Sequence, residues 1–403
     1  MRSSSAKSVR RRRVFYIPGY DPFPPRRYRE LYRKEGAMQA LVSGYSLILS
    51  RRKQTGPDGW HVAAEIDGKA VSTEMQVLVW ADLVQGSMGQ GIPGTYLQLF
   101  RTAWAYIGSG ALFRLMRLRK GPIIAALYPI AMLLMQLTFA GLMGWGVGQV
   151  AAGFIPALAA VPLGLATVAL VLVAFRRLDR HFFAYYLMHD YAYTAQHGGA
   201  NPAELEARMA AFRQTIRAAL ESNADEVLVV GHSSGAHLGI SILADLIREG
   251  LPARKSELAF LTLGQVVPMV SFLPRADRLR ADLNYLSARK ELTWVDVTAP
   301  GDGCAFALCD PVSVSGVAPA DQRWPLVISA AFTQTLSPER WKELRWRFFR
   351  LHFQYLCAFD RPTDYDYFRI TAGPLSLRTR FEGRAPSKSR IVEPASGHTS
   401  MHA

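Results

Sequence analysis

A chain of 403 residues, half of them hydrophobic, can bury one large core or two ordinary ones, and this composition excludes an intrinsically disordered protein. A net charge of +15 would suit nucleic acid, but the basic residues gather at Arg10 to Arg13, at Arg26 to Lys34 and beside a charge-free block, with no zinc-finger spacing or RNP-type aromatic pair. No nucleic-acid partner is therefore expected, and an anionic membrane surface remains as the source of the basic bias.

Residues 1–13 are expected to form a disordered basic arm. The apolar run behind them, Val14 to Ile17, is far too short for the core of a signal peptide and reads as a short strand. Pro-rich and helical sequence follows from Pro24 to Leu41. A strand comes next at Tyr45 to Leu49, then one at Trp60 to Ile66 with Gln76 to Trp80 as its partner. The segment TYLQLFRTAWAYIGSGALFRLMRLRK mixes aromatics with arginines. It suits the membrane interface and an amphipathic helix of a soluble domain equally.

From Gly121 to Phe175 there is no Asp, Glu, Lys, Arg or His. These roughly 55 residues allow two bilayer crossings, each of which takes about 20. The crossings are placed at Pro122 to Gly144 and Ile155 to Phe175, with the turn in the glycine-rich stretch from Gly144 to Pro156. The alternative is a pair of helices buried in a large soluble core, but soluble helices rarely lack a polar face over such a length. Arg114, Arg117, Arg119 and Lys120 precede the block, Arg176, Arg177 and Arg180 follow it, and the turn carries no charge. By the positive-inside rule the expectation is a two-pass protein of the cytoplasmic (inner) membrane, with both termini and everything outside residues 121–175 in the cytoplasm.

Beyond the block, Asn201 to Ser222 reads as a helix with Asn201 as N-cap and Pro202 at its first position. Val227 to Val230 is a continuous apolar strand, and Ala236 to Arg248 is an amphipathic helix stopped by Gly250 and Pro252. Leu258 to Leu263 and Glu291 to Val297 are further strands. This alternation predicts an α/β fold with a mostly parallel sheet and helices on both faces, spanning 14–383 and interrupted by the hairpin. The polar residues 384–403 read as a disordered tail. Cys304, Cys309 and Cys357 are odd in number and lack metal-ligand spacing, so they are expected as reduced thiols, with no metal and no cofactor.

Between the apolar strand and the amphipathic helix lies GHSSG, Gly231 to Gly235, a match to G-x-S-x-G in a strand-turn-helix context. There the glycines permit a sharp turn that lifts the Ser233 hydroxyl clear of the sheet, and the helix behind it aims free N–H groups at developing negative charge. At this point the chain resembles the α/β-hydrolase superfamily of lipases, esterases and related acyl-transfer enzymes. The resemblance covers element order and short motifs over most of the chain outside the hairpin, which is not part of the common fold.

The resemblance implies a catalytic triad in the chain order Ser, Asp or Glu, His, because a serine hydroxyl needs a base and the base needs an orienting carboxylate. It makes Ser233 the nucleophile and puts the acid just past a strand, where Asp302 stands in G-D-G. Asp296, inside the strand and expected to face helices or solvent, and Asp310 are the competitors. Downstream histidines are His352, in the apolar segment RFFRLHFQYLCAF, and His398 and His402 in the tail. His352 is preferred, because a polar tail offers little to hold a side chain within the roughly 0.5 Å a site requires. His232 and His237 flank the elbow, and His232 is given no base role. For the oxyanion hole the resemblance implies the backbone N–H of Ser234 and one from the exit of an early strand. Pro18-Gly19-Tyr20 occupies that place, making Tyr20 the second donor, although the histidine usual there is missing.

The leading expectation is thus a membrane-anchored serine hydrolase that cleaves lipid-like esters or thioesters through an acyl-enzyme on Ser233. Alternatives are acyl transfer to another acceptor on the same triad, and a non-catalytic membrane protein built on a hydrolase-like fold.

Overall fold

The computed structural model describes residues 8–51, 58–253 and 256–402. Its elements begin with β1 (Arg11–Ile17), α1 (Arg26–Ser43), β2 (Ser46–Arg51), β3 (Gly59–Ile66) and β4 (Lys69–Val77). Then come α2 (Ala81–Ser87), α3 (Ile92–Gly108), α4 (Ala111–Leu118), α5 (Lys120–Ala152), α6 (Ala157–Arg177), α7 (Asp179–Phe182), α8 (Ala184–Ala195) and α9 (Ala203–Leu220). The second half holds β5 (Glu226–His232), α10 (Gly235–Arg248), β6 (Glu257–Leu263), α11 (Val267–Ser271), α12 (Asp277–Ser287), β7 (Leu292–Thr298), α13 (Pro311–Val314) and β8 (Leu326–Ser329), followed by short helices.

The strands form one eight-stranded sheet in the order β2-β3-β4-β1-β5-β6-β7-β8. All neighbouring pairs from β4 to β8 are parallel, and only β3 runs against its neighbours. This is the mostly parallel α/β architecture expected from the alternation. Strand β5 is buried along its whole length because both faces of the sheet are covered. On one face, Leu228 and Val230 join Tyr28 and Tyr32 of α1 and the aromatic C-terminal segment around Tyr355 and Phe368. On the other, Val227 and Val229 pack with α9, α10 and α12.

Several boundaries differ from expectation. Strand β1 starts at Arg11, inside the segment expected as a disordered arm. Buried Arg12 pairs with Glu226 at 2.5 Å and donates to the Gly373 and Leu375 carbonyls, so that part of the basic run is structural. Residues 1–7 lie outside the described residues. Strand β4 begins at Lys69 and closes a tight hairpin with β3, pairing Gly59 with Gln76 and Ile66 with Lys69. Helix α9 starts at Ala203 with Pro202 at its cap, and Asn201 donates to Glu206 rather than capping. The tail is not disordered. It is strapped to the domain by Ile391 N–H to Leu308 O at 2.7 Å, Ala395 N–H to Val314 O at 3.0 Å and Arg280 Nε to Ser400 O at 2.6 Å.

The charge-free block forms two helices that are long and apolar enough to cross a membrane. The first runs through the glycines to Ala152, so the turn is confined to residues 153–156. Only 33% of the most apolar window of α5 and 17% of that of α6 is buried, the reverse of core helices. The two pack closely through Gly144 and Gly164. A methyl group on Gly144 would lie 2.6 Å from the Gly164 carbonyl oxygen, so a side chain at either position would separate the backbones. The inner part of α5 packs against α8 and α4, and its first turn reaches the sheet domain, where Gly121 abuts Gly303.

Candidate active site

The five elbow residues behave as their types demand. Ser233 has φ +56°, a left-handed conformation rare for a residue with a side chain and a strain that the surrounding structure must hold. It is held by Ser233 N–H donating to Leu263 O of β6 at 2.9 Å. Both glycines are required by close approach. A methyl group on Gly231 would lie 2.7 Å from the Gly235 carbonyl oxygen, and one on Gly235 would lie 2.1 Å from the Ile17 carbonyl oxygen. Gly19 is pressed against Ser233 in the same way, 2.9 Å from methyl position to Ser233 Cβ.

Asp302 stands just past β7 and His352 ends a short helix, Phe348–His352. The structure brings them together: His352 Nδ1 lies 2.7 Å from Asp302 Oδ2, and both residues are buried. Asp302 also accepts from Tyr355 Oη at 3.0 Å and from the Cys304 N–H at 2.9 Å, so its carboxylate is fixed from three sides. With Nδ1 engaged, the other ring nitrogen of His352 remains for the cleft that His352 and Ser233 both line. Among the described residues no hydrogen bond joins Ser233 Oγ to His352, which leaves that one link open; such contacts often tighten only with substrate bound.

Two further features come from the structure alone. His232 Nε2 donates to the His352 carbonyl oxygen at 3.0 Å, and burial pushes the His232 pKa down to about 3. A neutral, donating His232 therefore pins the backbone that carries His352. Second, the backbone N–H groups of Tyr20 and Ser234, both in buried residues, have no hydrogen-bond partner among the described residues. Buried N–H groups without a partner are rare in folded proteins. Tyr20 and Ser234 border one cleft, and Ser234 precedes the first turn of α10.

Asp296 lies on the face of β7 that carries Trp294, covered by the helices as expected, and not toward solvent. It is fully buried within the sheet, where it accepts from Thr262 Oγ1 at 2.6 Å, and burial pushes its pKa up to about 8. Asp310 caps α13, accepting from Val312 and Ser313 N–H. The structure brings neither His398 nor His402 to the cleft; both lie in the strapped tail, and Gly397 rests on Arg114. Asp190 of α8 and His237 of α10 also line the cleft. Burial raises the Asp190 carboxyl to about 7, and its side chain forms no hydrogen bond or ion pair among the described residues. His237 is lowered to about 4 by burial, and its Nδ1 has no partner there.

Asp302, Cys304 and His352 offer donor atoms within 4.8 Å of one another, a spacing that would suit a metal. The donor chemistry does not: burial pushes the Cys304 thiol well up, and the Asp302 oxygen nearest His352 is already shared with Tyr355. No family model, curated protein or solved structure matches the chain.

Proposed function

We propose that the chain is a membrane-anchored serine hydrolase of the α/β-hydrolase kind that cleaves acyl esters at Ser233. The observation that carries this reading is the buried His352–Asp302 pair at 2.7 Å in the same cleft as the strained Ser233 elbow. Supporting it, the unpartnered Tyr20 and Ser234 N–H groups are the two expected as an oxyanion hole.

The chemistry follows from these positions. His352 Nε2 takes the Ser233 proton as Oγ bonds to the ester carbonyl carbon. The carbonyl π pair moves onto oxygen, where the Ser234 and Tyr20 N–H groups and the positive end of α10 stabilise it. Collapse of this intermediate breaks the bond to the alcohol, which leaves with the proton from His352. Water then repeats the sequence on the acyl-enzyme, giving the free acid and restoring Ser233. Asp302 holds the imidazole in its productive tautomer.

The exposed apolar surfaces of α5 and α6 support a membrane location, and the arginines at both flanks support cytoplasmic termini. A cysteine at Gly153, in a background lacking Cys304, Cys309 and Cys357, should react with an impermeant thiol reagent on intact cells. Labelling only after lysis would invert the topology.

Hydrolysis of p-nitrophenyl esters by the purified protein tests the activity itself. Ser233→Ala should lower kcat by roughly 10⁴-fold or more, as loss of a triad serine does elsewhere. Equal turnover by wild type and Ser233→Ala would sink the hydrolase reading. An alcohol acceptor that diverts most of the product into a new ester would reassign the same residues to acyl transfer.

A further inference from the structure

Helix α8 brings into the cleft an acid that the chemistry at Ser233 does not use. The helix starts where the Tyr185 and Tyr186 N–H groups each donate to the Asp179 carboxylate at 3.0 Å. Tyr186 Oη ties it to the exit of β1 by donating to the Tyr20 carbonyl oxygen at 2.5 Å. One turn further on, Asp190 meets the cleft. It is half-buried, and among the described residues its carboxyl makes no hydrogen bond or ion pair. Buried His237 of α10 lines the same space with its Nδ1 unpartnered.

The cleft has two compartments. The one at Ser233 has a cavity volume of about 70 Å³. The next, of about 20 Å³, is lined by Tyr20, Trp80 and Tyr193, whose ring centroids lie 5.7 to 6.2 Å apart. The two meet at Asp190, Thr194, Ser234, His237 and Val270. A water-sized group needs roughly 10–15 Å³, so the space suits a small polar head group and not a long chain. Among the described residues no Lys or Arg lines either compartment. An acid that nothing neutralises thus shares a compartment with Tyr20 and Ser234, the residues whose N–H groups would hold an oxyanion. Ionised, Asp190 opposes the negative charge that develops there. A cation carried by the substrate cancels that opposition and gains a charge-assisted hydrogen bond away from bulk water. A substrate hydroxyl would leave the opposing charge in place.

We propose that Asp190 is a specificity-determining residue that binds a protonated amine on the substrate, so that Ser233 acts on small esters of amino alcohols. This rests on the hydrolase reading and adds the substrate class to it. With the ester carbonyl at Ser233, the ammonium group donates to the Asp190 carboxylate, and its alkyl groups lie toward Tyr20, Trp80 and Tyr193. His237, held neutral because burial lowers its pKa to about 4, adds no competing positive charge. The covalent steps stay those of the hydrolase: the amino alcohol leaves with the proton from His352, and water frees the acid.

The test compares 2-(dimethylamino)ethyl acetate with 3-methylbutyl acetate, which differ only in N–H⁺ against C–H, as substrates of the full chain in detergent micelles. Acid release at neutral pH gives kcat/KM for each, and taking the ratio within one preparation cancels any difference in the folded fraction. Wild type should favour the amine ester by at least about tenfold, the scale of a hydrogen bond to a charged group. Asp190→Asn should bring the ratio to about one. A ratio near one in wild type, or the same ratio in Asp190→Asn, overturns the assignment, and turnover of the neutral ester leaves the hydrolase reading standing. Should wild type cleave neither ester, the hydrolase reading fails first. Saturation-transfer NMR of the amine ester on the same two proteins then decides Asp190 alone. Binding that weakens by at least about tenfold in Asp190→Asn supports the assignment, and equal binding by both proteins, or none by either, overturns it.

Discussion

At the elbow, Gly231 and Gly235 let β1, β5 and α10 meet at distances no side chain permits; in the hairpin, Gly144 and Gly164 do the same for α5 and α6. The surroundings are opposite. Around the elbow the apolar residues point inward, and the polar groups that are buried mostly find partners, as Arg12 does with Glu226. Along the hairpin, large apolar side chains such as Phe154, Leu158 and Leu170 point outward. One glycine device thus serves two solvents. In the sheet it builds a strained turn that presents a hydroxyl, whereas between the helices it builds a close backbone seam whose outer surface suits lipid.

If the sheet domain alone carries the chemistry, the largest effects belong there. His352→Ala should reduce kcat by roughly 10⁴-fold or more, and adding Ser233→Ala should cost little further, because residues that act as a unit are not additive. Steady-state kinetics of both single variants and the double variant check this, and multiplicative losses would contradict the unit.

Next in size is a pH effect inside the sheet. Burial raises the Asp296 pKa from its ordinary 3.8 to about 8. A raised carboxyl pKa means that the stability contributed by the buried neutral carboxyl is complete below about pH 4 and is lost as pH rises from there through 8. Wild type should therefore lose up to roughly 5 kcal/mol relative to Asp296→Asn over that window. Thermal unfolding in detergent across the pH series measures the difference, and parallel curves for the two proteins would refute it.

The smallest of these contrasts separates the regions directly. Gly235→Ala should cost roughly 4 kcal/mol or more and unfold the sheet domain, since strain at a close backbone approach is among the largest single-residue effects. Gly144→Ala should leave sheet melting within about 0.5 kcal/mol, because the sheet is built without residues of the hairpin. Circular dichroism of the two variants reads both outcomes. Equal loss of sheet signal would show that hairpin and sheet fold as one unit.

Much of this arrangement was readable in the chain because its signals are local. The GHSSG turn between an apolar strand and a helix marks the elbow, and the absence of charge from Gly121 to Phe175 marks the hairpin. The juxtaposition of Asp302 and His352 was readable from chain order combined with a family resemblance. What was missed depends on distant partners. Arg12 looks like part of a solvated run until Glu226 and the carbonyls of Gly373 and Leu375 are seen around it. The tail has no periodicity because backbone groups, not side-chain patterning, hold it to Leu308 and Val314. Helix α5 outran its expected end because Gly144 and Gly148, poor helix residues in water, face the seam with α6. No spacing rule points to Asp190 or His237, which enter the cleft from separate helices.

The most direct test of the central claim is the site of covalent capture. Purified full-length protein treated with a fluorophosphonate and digested should carry the phosphonyl group on Ser233, within the peptide that spans Val227 to Gly239. The adduct should disappear in Ser233→Ala and be strongly slowed in His352→Ala. An adduct on another residue, or equal labelling of wild type and Ser233→Ala, would contradict the account.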